Sequence, residues 1–326
     1  SDSGTLVYIP QAPSTTAPSQ RILVWLDRQG KEESIAAGPD NYSDPKISPD
    51  GVRLAVTIQN VGGNSIWIWD LARKSMTRLT FDENSVRPLW TRDGKRIAFA
   101  SDRTGRYSSF WKAADGVGED EALGPGSEVA VFPWSWSRDG KTLVLFDWHG
   151  LTKTNILVLP IEGDRQYRPL LQEKHMEAQP EVSPDGRWIA YISDESGQLE
   201  IYVRPFPEVS KGRWQVSTSG GNSPLWSPDN RELFYRSIDS VMAVAVQTDA
   251  TFILGRTEVL FKDRYVPISS QTMQILRPWD ISPDGKRFLM MKSTGSGEAP
   301  TTITAQRKIN IVLNWFEELK QGVPVK

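Results

Sequence analysis

Short apolar runs recur along this chain, and each follows a polar four-residue turn. The turns are Ser48-Pro49-Asp50-Gly51, Thr91-Arg92-Asp93-Gly94, Ser137-Arg138-Asp139-Gly140, Ser183-Pro184-Asp185-Gly186, Ser227-Pro228-Asp229-Asn230 and Ser282-Pro283-Asp284-Gly285. Proline presets φ at the second position, Asp bonds nearby amides, and Gly or Asn accepts φ > 0 at the fourth, which is the chemistry of a tight hairpin. The runs after the turns, 53–58, 96–100, 142–146, 187–192, 232–235 and 287–291, are rich in β-branched and aromatic residues and read as second strands. First strands precede the turns, each marked by a proline three or four residues before the hydroxyl: Pro45, Pro88, Pro133, Pro180, Pro224 and Pro278. Third strands fall at 66–69, 109–111, 155–159, 200–203 and 242–246. The fourth, such as 77–80 and 214–217, are short and polar, as suits an exposed sheet edge.

The hydroxyls that begin the turns are spaced by 43, 46, 46, 44 and 55 residues. That period, with four strands inside it, is the signature of one propeller blade per repeat. The expected fold is therefore all-β, a β-propeller of four-stranded blades forming a single domain over 1–326, with partial modules at 1–44 and 278–326. At the start, Ser1-Asp2-Ser3-Gly4 resembles a worn turn, and 5–9, 22–26 and 33–35 fill second, third and fourth slots without an inner strand. At the end, 278–282 and 288–291 are first and second strands and 309–313 a third. Two partial and five full modules give seven blades. If the terminal strands merge into one closing blade the count falls to six and strands are left over. Asn314 is placed to cap a short C-terminal helix over 315–320.

Charge and composition narrow the partners. Lys and Arg number 38 against 40 Asp and Glu, so a net charge of −2 gives no general attraction to nucleic acid. No apolar run approaches the roughly 20 residues of a membrane span, so the chain is not itself membrane-embedded. The absence of cysteine excludes disulfides, thiolate catalysis and cysteine-ligated zinc. A chain beginning in a decayed turn reads as a piece of a longer protein.

The stretches Arg21-Ile22-Leu23-Val24-Trp25-Leu26-Asp27, Asn64-Ser65-Ile66-Trp67-Ile68-Trp69-Asp70, Tyr202-Val203-Arg204-Pro205-Phe206-Pro207 and, above all, Ile309-Asn310-Ile311-Val312-Leu313-Asn314-Trp315-Phe316-Glu317-Glu318-Leu319 carry a family resemblance. The chain resembles the TolB-like, WD40-like (PD40) propeller found at the C-terminal end of bacterial Ser/Thr protein kinases. The resemblance implies an extracytoplasmic sensing or protein-binding module whose parent protein holds a kinase domain and a membrane segment. It brings no catalytic residue. The kinase is not in these residues: there is no glycine-rich phosphate loop, no His-Arg-Asp and no Asp-Phe-Gly.

A catalytic role for the propeller itself finds little material. The chain has two histidines and no Gly-x-Ser-x-Gly elbow. His149 beside Asp147 and His175 between Glu173 and Glu177 have the form of a general base or metal ligand, but a blade loop accounts for both. The six turn aspartates recur at separate places, whereas calcium needs six to eight oxygens converging on one point. No cofactor or metal is expected. Inner strands surround a central channel, and the residue before each inner-strand proline is Asp44, Arg87, Phe132, Gln179, Ser223 or Arg277. This ring varies where the repeat is otherwise uniform. It is the candidate site at the channel mouth for a protein, peptide terminus or small anionic ligand, with arginine offering bidentate bonds. The plainer alternative is that Asp44 neutralises an arginine across the channel. Loops after the second strands, 60–64, 101–105 and 193–197, form a second candidate surface. The expected function is a non-catalytic ligand- or protein-binding propeller, the sensor of a Ser/Thr kinase. The alternatives are a substrate-gating propeller of a hydrolase or peptidase, or a free-standing TolB-like periplasmic scaffold.

Overall fold

A computed structural model describes residues 6–8, 20–60, 62–81, 84–149, 154–249, 251–266, 277–294 and 310–312. The chain divides into two units, residues 20–294 and residues 1–19 with 295–326. In the smaller unit Leu6–Tyr8 pairs antiparallel with Asn310–Val312. The larger holds six four-stranded antiparallel sheets. Blade 1 comprises Tyr42–Ile47, Arg53–Asn60, Gly63–Asp70 and Ser75–Arg78 from the centre outward. Blades 2 to 5 repeat this order over Ser85–Ala122, Ala130–Leu171, Glu177–Gln215 and Asn222–Lys262. Blade 6 takes its two inner strands, Trp279–Ile281 and Arg287–Ser293, from the C-terminal part of the unit. Its two outer strands, Arg21–Asp27 and Glu32–Ser34, come from the N-terminal part.

Seven blades is therefore wrong and six is the count. The partial modules are complementary halves: Arg21–Asp27 pairs residue for residue with Arg287–Ser293, from Arg21 opposite Ser293 to Asp27 opposite Arg287. Merging them closes the ring and satisfies strand edges that two separate half-blades would expose. The strands left over are those that pair in the smaller unit. Among the described residues there is no α-helix, only a 3₁₀ turn at Val209–Lys211. The expected helix over 315–320 lies outside them.

The turns carry the chemistry their sequence implies. In each, the fourth-position amide donates to the carbonyl of the hydroxyl residue, at 2.8–3.0 Å, and that fourth residue has φ between 61° and 75°. The hydroxyl donates to the turn Asp at 2.5–2.6 Å. It also accepts the amide that opens the second strand, as from Arg53 to Ser48 at 3.0 Å. These bonds hold the carboxylates of Asp50, Asp93, Asp139, Asp229 and Asp284 below the usual range, the hydroxyl being the main cause. The turns also interlock: a Cβ added to Gly51, Gly94, Gly140, Gly186 or Gly285 would meet the second turn residue of the preceding blade. At Gly186 the space is closed, 2.7 Å from Arg138 Cβ.

Second strands form the core, with Leu54, Ile97, Leu143, Ile189, Leu233 and Phe288 wholly buried between neighbouring blades. Inner-strand tryptophans fasten three of the blades, 2, 5 and 6, to their predecessors. The indole N–H groups of Trp90, Trp226 and Trp279 donate to the carbonyls of Lys46, Glu181 and Ser223 at 2.9–3.1 Å, which satisfies the one polar atom of a large buried ring. Blades 6 and 1 are joined by Asp280, which accepts from Lys46 Nζ and the Ile47 amide, both at 2.8 Å.

Candidate functional site

The ring residues reach the channel through a distortion of the inner strand. Asp44, Arg87, Gln179 and Ser223 have φ of 50–57°, and the ladder to the second strand shifts register at each of them. The proline that follows has no N–H to lose from the ladder, so the bulge falls where it breaks no hydrogen bond. Blades 3 and 6 differ. Their proline lies four residues before the hydroxyl instead of three, in the place where the other blades have φ > 0, a conformation closed to proline. Phe132 therefore stays in regular pairing opposite Phe146, and Arg277 stands just ahead of its strand. The six positions are thus four bulge residues and two from blades 3 and 6, which face each other across a six-bladed ring.

All six are buried, between 0 and 7% exposed, and they bond to one another. Asp44 Oδ1 accepts the Arg277 amide at 2.9 Å. The Arg87 guanidinium lies over the Phe132 ring at 4.2 Å and the Phe146 ring at 5.0 Å. Gln179 Oε1 accepts the Ser223 amide at 2.6 Å. Arg277 goes furthest: it donates to the Trp134 carbonyl of blade 3, lies 4.5 Å over the Trp134 ring, and pairs with Glu181 of blade 4 at 3.2 Å. Burial pushes the Asp44 carboxyl up, against the pull of Arg87 and Arg277. Burial also pushes Arg87 down to about 10, which leaves it charged at neutral pH. The centre of the ring thus holds two guanidinium groups, Arg87 and Arg277, with two carboxyl groups, Asp44 and Glu181.

Glu181 and Trp134 were not singled out from the sequence. The available signal was the position after the proline, where Lys46, Glu181 and Trp134 stand. The other candidates are not drawn to this centre. Asp147 is filled by its own hairpin, accepting from His149 Nε2 at 3.0 Å and the Asn155 amide at 2.7 Å. His175 lies 3.9 Å from Asp194, and Glu173 pairs with Arg204 at 2.6 Å. Glu177 is a buried carboxyl raised by that burial to about 8. Loops 101–105 and 193–197 are ordinary turns, closed by Gly105 and Gly197 amides onto the Asp102 and Asp194 carbonyls. No cluster among the described residues is fit to hold a metal ion.

Six four-stranded blades around a channel packed with the chain's own charges define a β-propeller. Residues 14–150 match the family model described as the TolB beta propeller domain (PD40). A Francisella tularensis protein named Tol-Pal system protein TolB is 24% identical over 208 residues, 62% of this chain and 47% of the relative. A Bacillus subtilis protein named uncharacterized peptidase YuxL is 25% identical over 210 residues, 50% of this chain and 32% of the relative. The chain thus spans from about a third to about half of the length of these relatives. The solved structure of a putative TolB from Agrobacterium tumefaciens covers 86% of this chain and all of its own length, with a TM-score of 0.67 at 18% identity, which shows a shared fold.

Proposed function

We propose that this chain is a non-catalytic, protein-binding propeller acting as a TolB-like scaffold outside the cytoplasm. The matches to TolB proteins support this over the kinase-sensor reading. The observation that carries it is the buried charge centre. Arg87, Arg277 and Asp44, all buried, and Glu181, largely so, cost desolvation that apolar residues would avoid, and such groups cluster where proteins recognise ligands. In this proposal the ring of Asp44, Arg87, Phe132, Gln179, Ser223 and Arg277 is the recognition element. A partner's carboxylate entering the channel takes the place of Glu181 beside Arg277.

The test is cross-linking in the envelope fraction of the source organism, followed by mass spectrometry, with the chain and its Arg277→Ala variant. With circular dichroism showing the variant folded, a partner recovered with the first and lost with the second supports the reading; equal recovery overturns the ring as the site. The YuxL match motivates a second reading, a propeller that gates substrate to a peptidase domain. In that case peptides bind the purified chain without being cleaved.

A further inference from the structure

The outer strands of five blades are two to four residues long, whereas that of blade 5, Ile253–Lys262, runs for ten. It is terminal in its sheet, so one row of its amides and carbonyls has no strand beside it. Residues 253–259 are all exposed, Ile253 by 48% and Val259 by 55%. Natural sheets shorten or blunt such edges because they template pairing with another chain. Five blades here shorten theirs and blade 5 does not.

We propose that this edge pairs antiparallel with the same strand of a second copy, about a twofold axis through Thr257. The charge pattern selects this occupant and this register. Centred on Thr257, Arg256 of each copy faces Glu258 of the other, and the contact occurs twice, as an isologous interface requires. Leu254 then faces Leu260, and Ile253 faces Phe261. Moving the axis to residue 256 or 258 sets Arg against Arg or Glu against Glu, and a parallel in-register pairing sets both like pairs together. Directly opposed unlike charges stabilise a strand pair and like charges oppose it. Among the described residues neither the Arg256 nor the Glu258 side chain makes a hydrogen bond or salt bridge, Glu258 acting only at longer range on Arg28. Thr257 to Val259 run in unbroken register with Val244 to Met242, and the two bulges of the strand fall at Gly255-Arg256, opposite Ala245, and at Leu260, so the regular core of the pairing is the segment about Thr257 and Glu258. One paired edge is a small interface, below about 1,200 Å², so the dimer is weak and forms with rising concentration.

Sedimentation equilibrium of the full chain from about 1 to 300 µM reads the outcome. The expected result is a monomer–dimer equilibrium that Arg256→Glu and Glu258→Arg each weaken at least tenfold and the double reversal restores. Circular dichroism of each variant confirms that the exposed changes leave the fold intact. A monomer at every concentration, a dimer indifferent to the single changes, or a double reversal that fails to restore it would each overturn the proposal. In the first case the edge would be left for a strand of a different protein.

Discussion

Arg277 crosses the channel to Trp134. Its guanidinium donates to the Trp134 carbonyl and lies 4.5 Å above the indole ring, on the blade facing its own. With its bond to Glu181 at 3.2 Å, one side chain ties blade 6 to blades 3 and 4.

Arg277→Ala leaves Glu181 and the Trp134 carbonyl without this partner in the interior. Removing one member of a largely buried pair is costly, so urea unfolding should show a loss of about 1–3 kcal/mol. Arg277→Lys should recover only part, since an ammonium cannot serve the carbonyl, the carboxylate and the ring together. A loss below about 0.5 kcal/mol would show that the crossing contact is not a strut.

Ser137→Ala removes a hydroxyl that donates to Asp139 at 2.6 Å and accepts the Thr142 amide at 3.0 Å. Thermal unfolding should report a cost of about 1–2 kcal/mol. The turn aspartates are depressed in the fold, so their contribution is present above their unfolded pKa near 3.8 and is lost as pH falls through the lower folded values. Stability of the parent should drop below about pH 4 more steeply than that of the variant.

Gly186→Ala meets two obstacles, φ of 75° and an Arg138 Cβ only 2.7 Å from the new methyl. At Gly140 φ is similar, but the nearest neighbour is 3.6 Å away. Both changes should destabilise, Gly186→Ala by about 2–3 kcal/mol and Gly140→Ala by about 1. Equal losses in denaturant titration would mean that backbone conformation alone governs the turn.

Glu177 has its carboxyl raised from 4.5 to about 8 by burial. A raised pKa favours the protonated fold, so its contribution is complete below about pH 4.5 and is lost as pH rises through 8. Glu177→Gln should therefore stabilise the chain above pH 8, by roughly 1–3 kcal/mol, and change little at pH 4. Unfolding curves at the two pH values decide it; equal effects at both would show that the carboxyl does not change its charge in the fold.

The repeat was legible because its turn is a local device: Ser48, Asp50 and Gly51 do the same work in any context, and their spacing declares the blade. Blade number was not, because it depends on whether Arg21–Asp27 finds Arg287–Ser293, a pairing across the whole unit with no local signal. The ring was half legible. Proline marked the inner strands, yet moving Pro133 and Pro278 one place from the turn removed the positive-φ residue from blades 3 and 6, shifted the irregularity of blade 3 to Trp134 and put Arg277 in a position to reach it. That shift was visible as three residues against four, but its meaning lay in the backbone conformations proline forbids. The length of Ile253–Lys262 escaped because its polar residues, Arg256, Thr257 and Glu258, hide a strand inside what reads as a loop.

Blade 6 sets a condition on how the ring comes into being. During synthesis the hairpin of Arg21–Asp27 and Glu32–Ser34 is made well before its inner neighbour Arg287–Ser293, which follows more than 250 residues later. The outer pair of this blade waits for its inner pair, so closure is a late, long-range step of the kind that slows folding. Until then blades 1 and 5 stand open at either end of an arc, and their uncovered faces are where an arrested chain is most exposed to misassembly.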